Sequence, residues 1–325
     1  MKNSYSVIMS IVAAAGLAGV AGAQPIVFST NGPDLLMGAG TRSETIEAVE
    51  IEAADDFLLG GATRITGATI VGLIPEGTPL TDIESVVVQI YRVFPLDSNA
   101  VRLPHVPTRA NSPGDNAFLF RDAGTGLTFT VQALTPSLVA LNSVVNGINP
   151  SPDQNTRGEG AATGDEVEIH VTFGQPIDLA AGHYFFVPQV TLTPLDAGGS
   201  KNFLWLSAPR PIVSPGTPFT GDLQAWIRDG RLNPDWLRIG ADIVGGSPAP
   251  AFNMVLQLEG TGAPCRADFN ADGDSGTDAD IEAFFACLSG NCCATCGSAD
   301  FNGDGDSGTD ADIEAFFRVL AGGSC

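Results

Sequence analysis

Apolar and polar residues alternate with a period of two along most of residues 25–263. Val49-Glu-Ile-Glu-Ala53 alternates strictly, the pattern of a strand with one face on a core and one in water. Val167-Glu-Ile-His-Val-Thr-Phe173 sets Val167, Ile169, Val171 and Phe173 on one face and Glu168, His170 and Thr172 on the other. Residues 126–133 repeat the alternation, and residues 65–73 and 86–93 are β-branched runs. Residues 184–192, 203–206, 224–228, 236–239 and 253–258 read as further strands. Many short strands with turn signals between them, and no βαβ alternation, predict a mainly β fold, a jelly-roll-like β-sandwich. Residues 95–115, with four prolines, and residues 146–164 lack periodicity and are predicted as long surface loops.

The period changes near the C-terminus. Ile281, Phe284, Phe285 and Leu288 recur at helical spacing, as do Ile313, Phe316, Phe317 and Leu320. Each set makes one apolar helix face, and the two faces are predicted to pack on each other as a two-fold pair. The segment before each helix is also duplicated: DFNADGDSGTDADIEAFF from Asp268 and DFNGDGDSGTDADIEAFF from Asp300, 32 residues later. Asp268 or Asp300 at position 1, Asn270 or Asn302 at 3, and Asp272 or Asp304 at 5 offer hard oxygens at alternate positions. Gly273 or Gly305 follows at 6, and Asp274 or Asp306 at 7 offers its carbonyl. This spacing is that of a calcium loop, so two Ca²⁺ ions are expected.

Position 12, normally acidic, is Ala279 or Ala311, with acids on both sides at Asp278/Asp280 and Asp310/Asp312. Thr277 and Thr309 are the best N-caps, each with an acid three residues on, as in a capping box. The loop then carries one extra residue near Gly276 or Gly308, and Asp280 and Asp312 become the expected closing ligands in place of Asp278 and Asp310.

Composition adds a compartment. Lys2, the apolar run of residues 7–20 and Ala21-Gly22-Ala23 read as a signal peptide over residues 1–23, so the mature chain is expected to start at Gln24 and to be secreted or held at the cell surface. No later segment is apolar enough to span a bilayer. The net charge of −22 argues against nucleic acid or an anionic membrane as partner. All six cysteines lie between Cys265 and Cys325, a disulfide framework in an oxidising compartment. The repeat suggests Cys265–Cys293, Cys296–Cys325 and Cys287–Cys292; the alternative is a zinc site on Cys293 and Cys296.

Catalytic signals are thin. His105, His170 and His183 form no close metal pair, and no nucleophile elbow or phosphate loop occurs. Glu50, Glu52, Asp55, Asp56, Glu159, Asp165, Glu166 and Glu168 are candidates for a glycosidase pair that sequence cannot match up. Trp205, Trp226 and Trp236, among Arg210, Arg228, Arg231 and Arg238, form either a sugar-stacking surface or part of the core. Asp55 and Asp56 read as turn caps or ion ligands.

The duplicated loop-and-helix half-hand over residues 265–325 resembles the dockerin type I family. That resemblance implies calcium-dependent docking to a cohesin-like or other cell-surface protein, often tethering polysaccharide-degrading enzymes. Ala54-Asp55-Asp56-Phe57 resembles exported bacterial β-sandwich proteins of unknown role. The expected organisation is a signal peptide (1–23), a β-sandwich (24–262) and a small helical calcium module (263–325). The expected function is non-catalytic binding or attachment, with polysaccharide as one candidate ligand. The alternatives are a polysaccharide-degrading enzyme and a structural surface protein in which calcium only stabilises the C-terminus.

Overall fold

The computed structural model describes residues 26–45, 48–59, 63–145, 148, 155–180, 182–193, 201–210, 224–262, 267–270, 272–293, 296, 299–302 and 307–321. The predicted signal peptide lies outside them. The strands are β1 (Ile26–Ser29), β2 (Gly38–Thr41), β3 (Ile51–Leu59), β4 (Thr63–Ile74), β5 (Ile83–Arg92), β6 (Leu119–Arg121), β7 (Leu127–Ala133) and β8 (Leu138–Ala140). They continue with β9 (Ser143–Val144), β10 (Ala162–Leu179), β11 (Gly182–Leu192), β12 (Phe203–Ala208), β13 (Trp226–Asp229), β14 (Leu237–Arg238), β15 (Asn253–Met254) and β16 (Leu256–Gly262). Two helices follow, α1 (Asp278–Leu288) and α2 (Asp310–Leu320).

The strands form two sheets. One runs β1-β16-β4-β12-β2-β9, with β10 on the other edge of β4 and β7, β8 and β15 attached. The other runs β14-β13-β3-β11-β5-β6. Pairing is antiparallel except between β2 and β9. The alternation in β10 does what its pattern asks: Val167, Ile169, Val171 and Phe173 enter the core between the sheets, in one cluster with Phe57 and Phe186 of the other sheet and Trp205 of their own. The register against β4 shifts between Thr172 and Ile177, where Gly174 and Pro176 break the ladder. Among the described residues no helix is long and apolar enough to cross a membrane.

Three expectations change. β3 is not half in water: Glu52, Asp55 and Asp56 are all buried. A second layer covers the outer face of its sheet, where Ala54, Tyr91, Phe185, Val187, Trp226 and Trp236 form a separate cluster. Alternation reports two environments and does not say that the second is solvent. Part of that layer is the proline-rich segment predicted as a loose surface loop. Arg102 joins Asp115 at 3.2 Å and Asp235 at 2.6 Å, and Arg109 pairs with Asp115. Trp236 Nε1 donates to the Gly114 carbonyl at 3.2 Å. Residues 259–264, Glu-Gly-Thr-Gly-Ala-Pro, read in sequence as a short linker at the domain boundary; the third change is that β16 continues to Gly262, with Glu259, Gly260, Thr261 and Gly262 paired to β4.

Candidate functional site

In the first C-terminal repeat the loop folds around its own acids. Asp268 accepts the N–H groups of Asp272 at 3.1 Å and Gly273 at 3.2 Å. Asn270 Oδ1 accepts from Asp272 N at 2.9 Å, and its Nδ2 donates to Asp272 Oδ2 at 2.9 Å. Asp272 in turn accepts from Asp274 N at 2.9 Å. Positions 1, 3 and 5 are therefore brought into one turn. Gly276 has φ +74° and Gly308 φ +73°, a left-handed conformation that suits glycine. Gly276 N donates to Ala267 O at 3.1 Å and Gly308 N to Ala299 O at 3.0 Å, so the extra residue ties each loop's end to its beginning.

The helix starts fall where the sequence places them. Thr277 and Thr309 are the N-caps, each in a reciprocal capping box with Asp280 or Asp312 at the third helical position. Asp278 and Asp310 are exposed, whereas Asp280 and Asp312 are fully buried. Asp280 Oδ2 accepts Thr277 N at 2.8 Å and Thr277 Oγ1 at 2.9 Å, while Oδ1 accepts Asn270 N at 3.2 Å. The nearby Phe269 N–H further favours the ionised form of Asp280. Asp312 repeats the set with Thr309 N (2.8 Å), Thr309 Oγ1 (2.9 Å), Phe301 N (2.8 Å) and Asn302 N (3.2 Å). Burial alone would push both carboxyls up; these hydrogen bonds outweigh it and hold them below the usual carboxylate range.

The two units share one small core. Phe284 and Phe316 stack at 4.1 Å, with Phe269 and Phe301 edge-on to Phe316 at 5.9 and 5.1 Å. Phe285 and Phe317, predicted to join this interface, lie on its rim, 44% and 45% exposed with their rings 6.2 Å apart. A helix of 3.6 residues per turn cannot bring both members of an adjacent pair fully inward. Cys287 is bonded to Cys292 as expected. Cys293 is bonded to Cys296, which overturns the pairing of each with a distant cysteine and also removes both thiolates from a zinc site. Cys265, Cys325, Asp304 and Asp306 lie outside the described residues.

The donors of the first half-loop suit a hard cation: carboxylate, amide and carboxylate oxygens at alternate positions in one turn. Asp300 and Asn302 hold the equivalent places in the second repeat. Among the described residues no three His, Cys, Asp or Glu side chains converge on one point. In the first repeat position 3 is an asparagine and Asp280 turns toward backbone N–H groups; in the second, Asp304 and Asp306 lie outside the described residues.

The β-domain holds a second polar cluster. Asp55 and Asp56 are adjacent on β3, so the pleat sends them to opposite faces. Asp55 faces the inter-sheet core and accepts Met254 N at 2.7 Å. Asp56 faces the outer layer, its Oδ2 2.6 Å from His183 Nε2 on β11. Both are fully buried in mid-strand, so neither caps a turn. Their Oδ1 atoms, Trp226 Nε1, Gln224 Oε1 and the Asn253 amide have no hydrogen-bond partner among the described residues. Burial pushes both carboxyls up, Asp55 well above its usual value; Asp56 adds to the rise at Asp55, and His183 opposes the rise at Asp56. His183 keeps a quarter of its side chain exposed, so it connects the buried Asp56 to solvent.

The sign of the resulting pH dependence follows from the raised values. The folded protein holds protons that the unfolded chain has released, so this contribution to stability is full below about pH 4 and declines as pH rises through the folded values. Asp55→Asn keeps an acceptor for Met254 N–H and removes the desolvated charge. Urea midpoints are expected to rise for this variant at pH 7.5 and to match wild type near pH 4; a lower midpoint at pH 7.5 would contradict the assignment.

The remaining candidates separate. Trp205, Trp226 and Trp236 are all buried, so the sugar-stacking surface is not there. Glu52 is bound by Arg228, Asp165 accepts Gly77 N (2.8 Å) and Ser137 N (3.1 Å), and Glu159 accepts Val145 N (2.7 Å). Glu50 accepts Gln189 Nε2 at 2.6 Å, and Glu166 is buried on β10. His170 Nδ1 lies 3.2 Å from Thr69 Oγ1, while the His105 side chain is mostly exposed. The pairing of Asp56 with His183 joins residues 127 apart and had no signal in the sequence. No protein-family model, curated protein or solved structure matches this chain. The likeness to dockerins therefore rests on the duplicated loop and helix alone.

Proposed function

We propose that this chain is an exported, non-catalytic β-sandwich protein, jelly-roll-like in plan, whose C-terminal loop–helix pair is a calcium-binding attachment module of dockerin type. The observation that carries the reading is the repeat itself: two acidic half-loops, each leading through the same capping box into a helix, joined across one phenylalanine core. Asp268, Asn270, Asp272 and the Asp274 carbonyl would hold one ion, and Asp300, Asn302, Asp304 and the Asp306 carbonyl the other. Calcium supplies fixed positive charge there, offsetting the crowding of acids. The half-exposed Phe285 and Phe317 give the module an apolar contact for a cohesin-like or other surface partner.

Calorimetric titration of the mature chain with Ca²⁺ tests this. Two sites are expected, and Asp268→Ala with Asp300→Ala should remove both; absence of binding heat in the wild type would overturn the reading.

A second reading, a polysaccharide-degrading enzyme, draws on the raised carboxyls of Asp55 and Asp56 beside the partly exposed His183. A hydrolysis screen on plant and bacterial glycans decides it: turnover abolished by Asp56→Asn would favour the enzyme.

A further inference from the structure

We infer that Asp280 and Asp312 are internal latches and not cation ligands, so that each loop is shaped before any ion arrives and an ion is held by the first half of the loop. The inference rests on the calcium reading above and departs from the closing role that the loop spacing assigns to these two residues.

A carboxylate offers about four lone-pair positions, two on each oxygen. At Asp280 three are taken, by Thr277 N, Thr277 Oγ1 and Asn270 N. At Asp312 all four are taken, by Thr309 N, Thr309 Oγ1, Phe301 N and Asn302 N. The cap threonine's N–H and hydroxyl and the N–H of position 3 serve in both repeats, so the arrangement belongs to the motif. Bidentate ligation would cost each buried carboxylate its bonds and leave backbone N–H groups of a closed joint without acceptors.

The extra residue explains why the joint can close this way. In the left-handed conformation, Gly276 and Gly308 return the chain to Ala267 and Ala299. That brings the cap threonine beside the start of its own loop, where one carboxylate spans both. The latch thus ties position 13 to the start of the loop, which in a twelve-residue loop the cation joins to position 12. In the first repeat the remaining side-chain oxygens belong to the half-buried Asp268 and Asn270 and the exposed Asp272.

Hydrogen exchange read by mass spectrometry on the mature chain, in EDTA and in Ca²⁺, tests the inference. Peptides spanning residues 267–288 and 299–320 are expected to be protected in EDTA. Exchange at the unfolded rate in EDTA, with protection only in Ca²⁺, would overturn the latch and leave the calcium reading intact. Protection in EDTA without calcium binding would sustain the latch and sink that reading. In a second arm, Asp280→Asn with Asp312→Asn should weaken protection in EDTA while calcium affinity falls by about 10- to 100-fold without being abolished, as for residues that act through their neighbours. Loss of both sites as complete as in Asp268→Ala with Asp300→Ala, with protection in EDTA unchanged, would show that the two acids ligate the ion. Should the asparagine pair fail to fold, Asp280→Asn alone gives the same comparison, with the second repeat as internal control.

Discussion

Phe284→Ala is expected to unfold the C-terminal loop–helix pair while leaving the β-sandwich intact. Phe284 is fully buried, stacked on Phe316 at 4.1 Å and edge-on to Phe269 at 5.3 Å and Phe301 at 5.7 Å. Removing a buried phenyl ring costs about 3–5 kcal/mol, through lost transfer energy and the cavity left behind. A core built on four aromatic rings has little surplus with which to absorb that loss, because small units bury little surface. The two local disulfides close short segments and do not replace it. Hydrogen exchange should show peptides from α1 and α2 at the unfolded rate and those from β4 and β11 unchanged. Phe285→Ala, at a half-exposed ring one position along, should change little. Retained protection in Phe284→Ala would mean that some other contact holds the pair.

Arg228→Met should destabilise the β-sandwich by about 3–5 kcal/mol, the usual cost of leaving one charge of a buried ion pair uncompensated. Arg228 and Glu52 are paired between β13 and β3, and both are buried. Arg228 also donates to the Tyr91 hydroxyl at 2.8 Å and lies over the Trp236 ring at 4.2 Å. The Tyr91 oxygen is 2.9 Å from both Glu52 Oε1 and Gln89 Oε1, and its single proton goes to one of them. Burial, with Glu52 adding to it, pushes the Tyr91 phenol far up, so it remains a neutral donor. Methionine preserves much of the arginine stem's contact on Trp236 and isolates the loss of charge. Adding Glu52→Gln should then recover most of the lost stability, because the stranded carboxylate is gone. A double variant no more stable than Arg228→Met, measured by urea midpoint, would place the cost in lost contact and not in charge.

How much of this was legible depended on how far apart the deciding residues lie. The helix starts were readable because Thr277 and Asp280 are three residues apart and decide the cap between them. The alternation of β10 named its buried face correctly. The same logic failed for Glu52, because its partner Arg228 comes from a strand 176 residues away. For the tryptophans the sequence favoured core over a stacking surface, and their burial bears that out. Local reading failed for Cys293 and Cys296, where the repeat suggested distant partners and proximity chose the neighbour.

The sequence by itself determined the mainly β class, the position and type of the two terminal helices, and the oxygen-rich chemistry of the loops before them. These depend on period, caps and spacing, which act within a few residues. Only the tertiary structure decided that the outer face of one sheet is covered and that Asp56 meets His183. It also decided that the buried acids of the two capping boxes accept N–H groups from the starts of their own loops. Those outcomes depend on which strand lies beside which, and on what a chain segment far away brings to the same place. A carboxylate's role is set by the donors around it, and here most of them arrive through the fold.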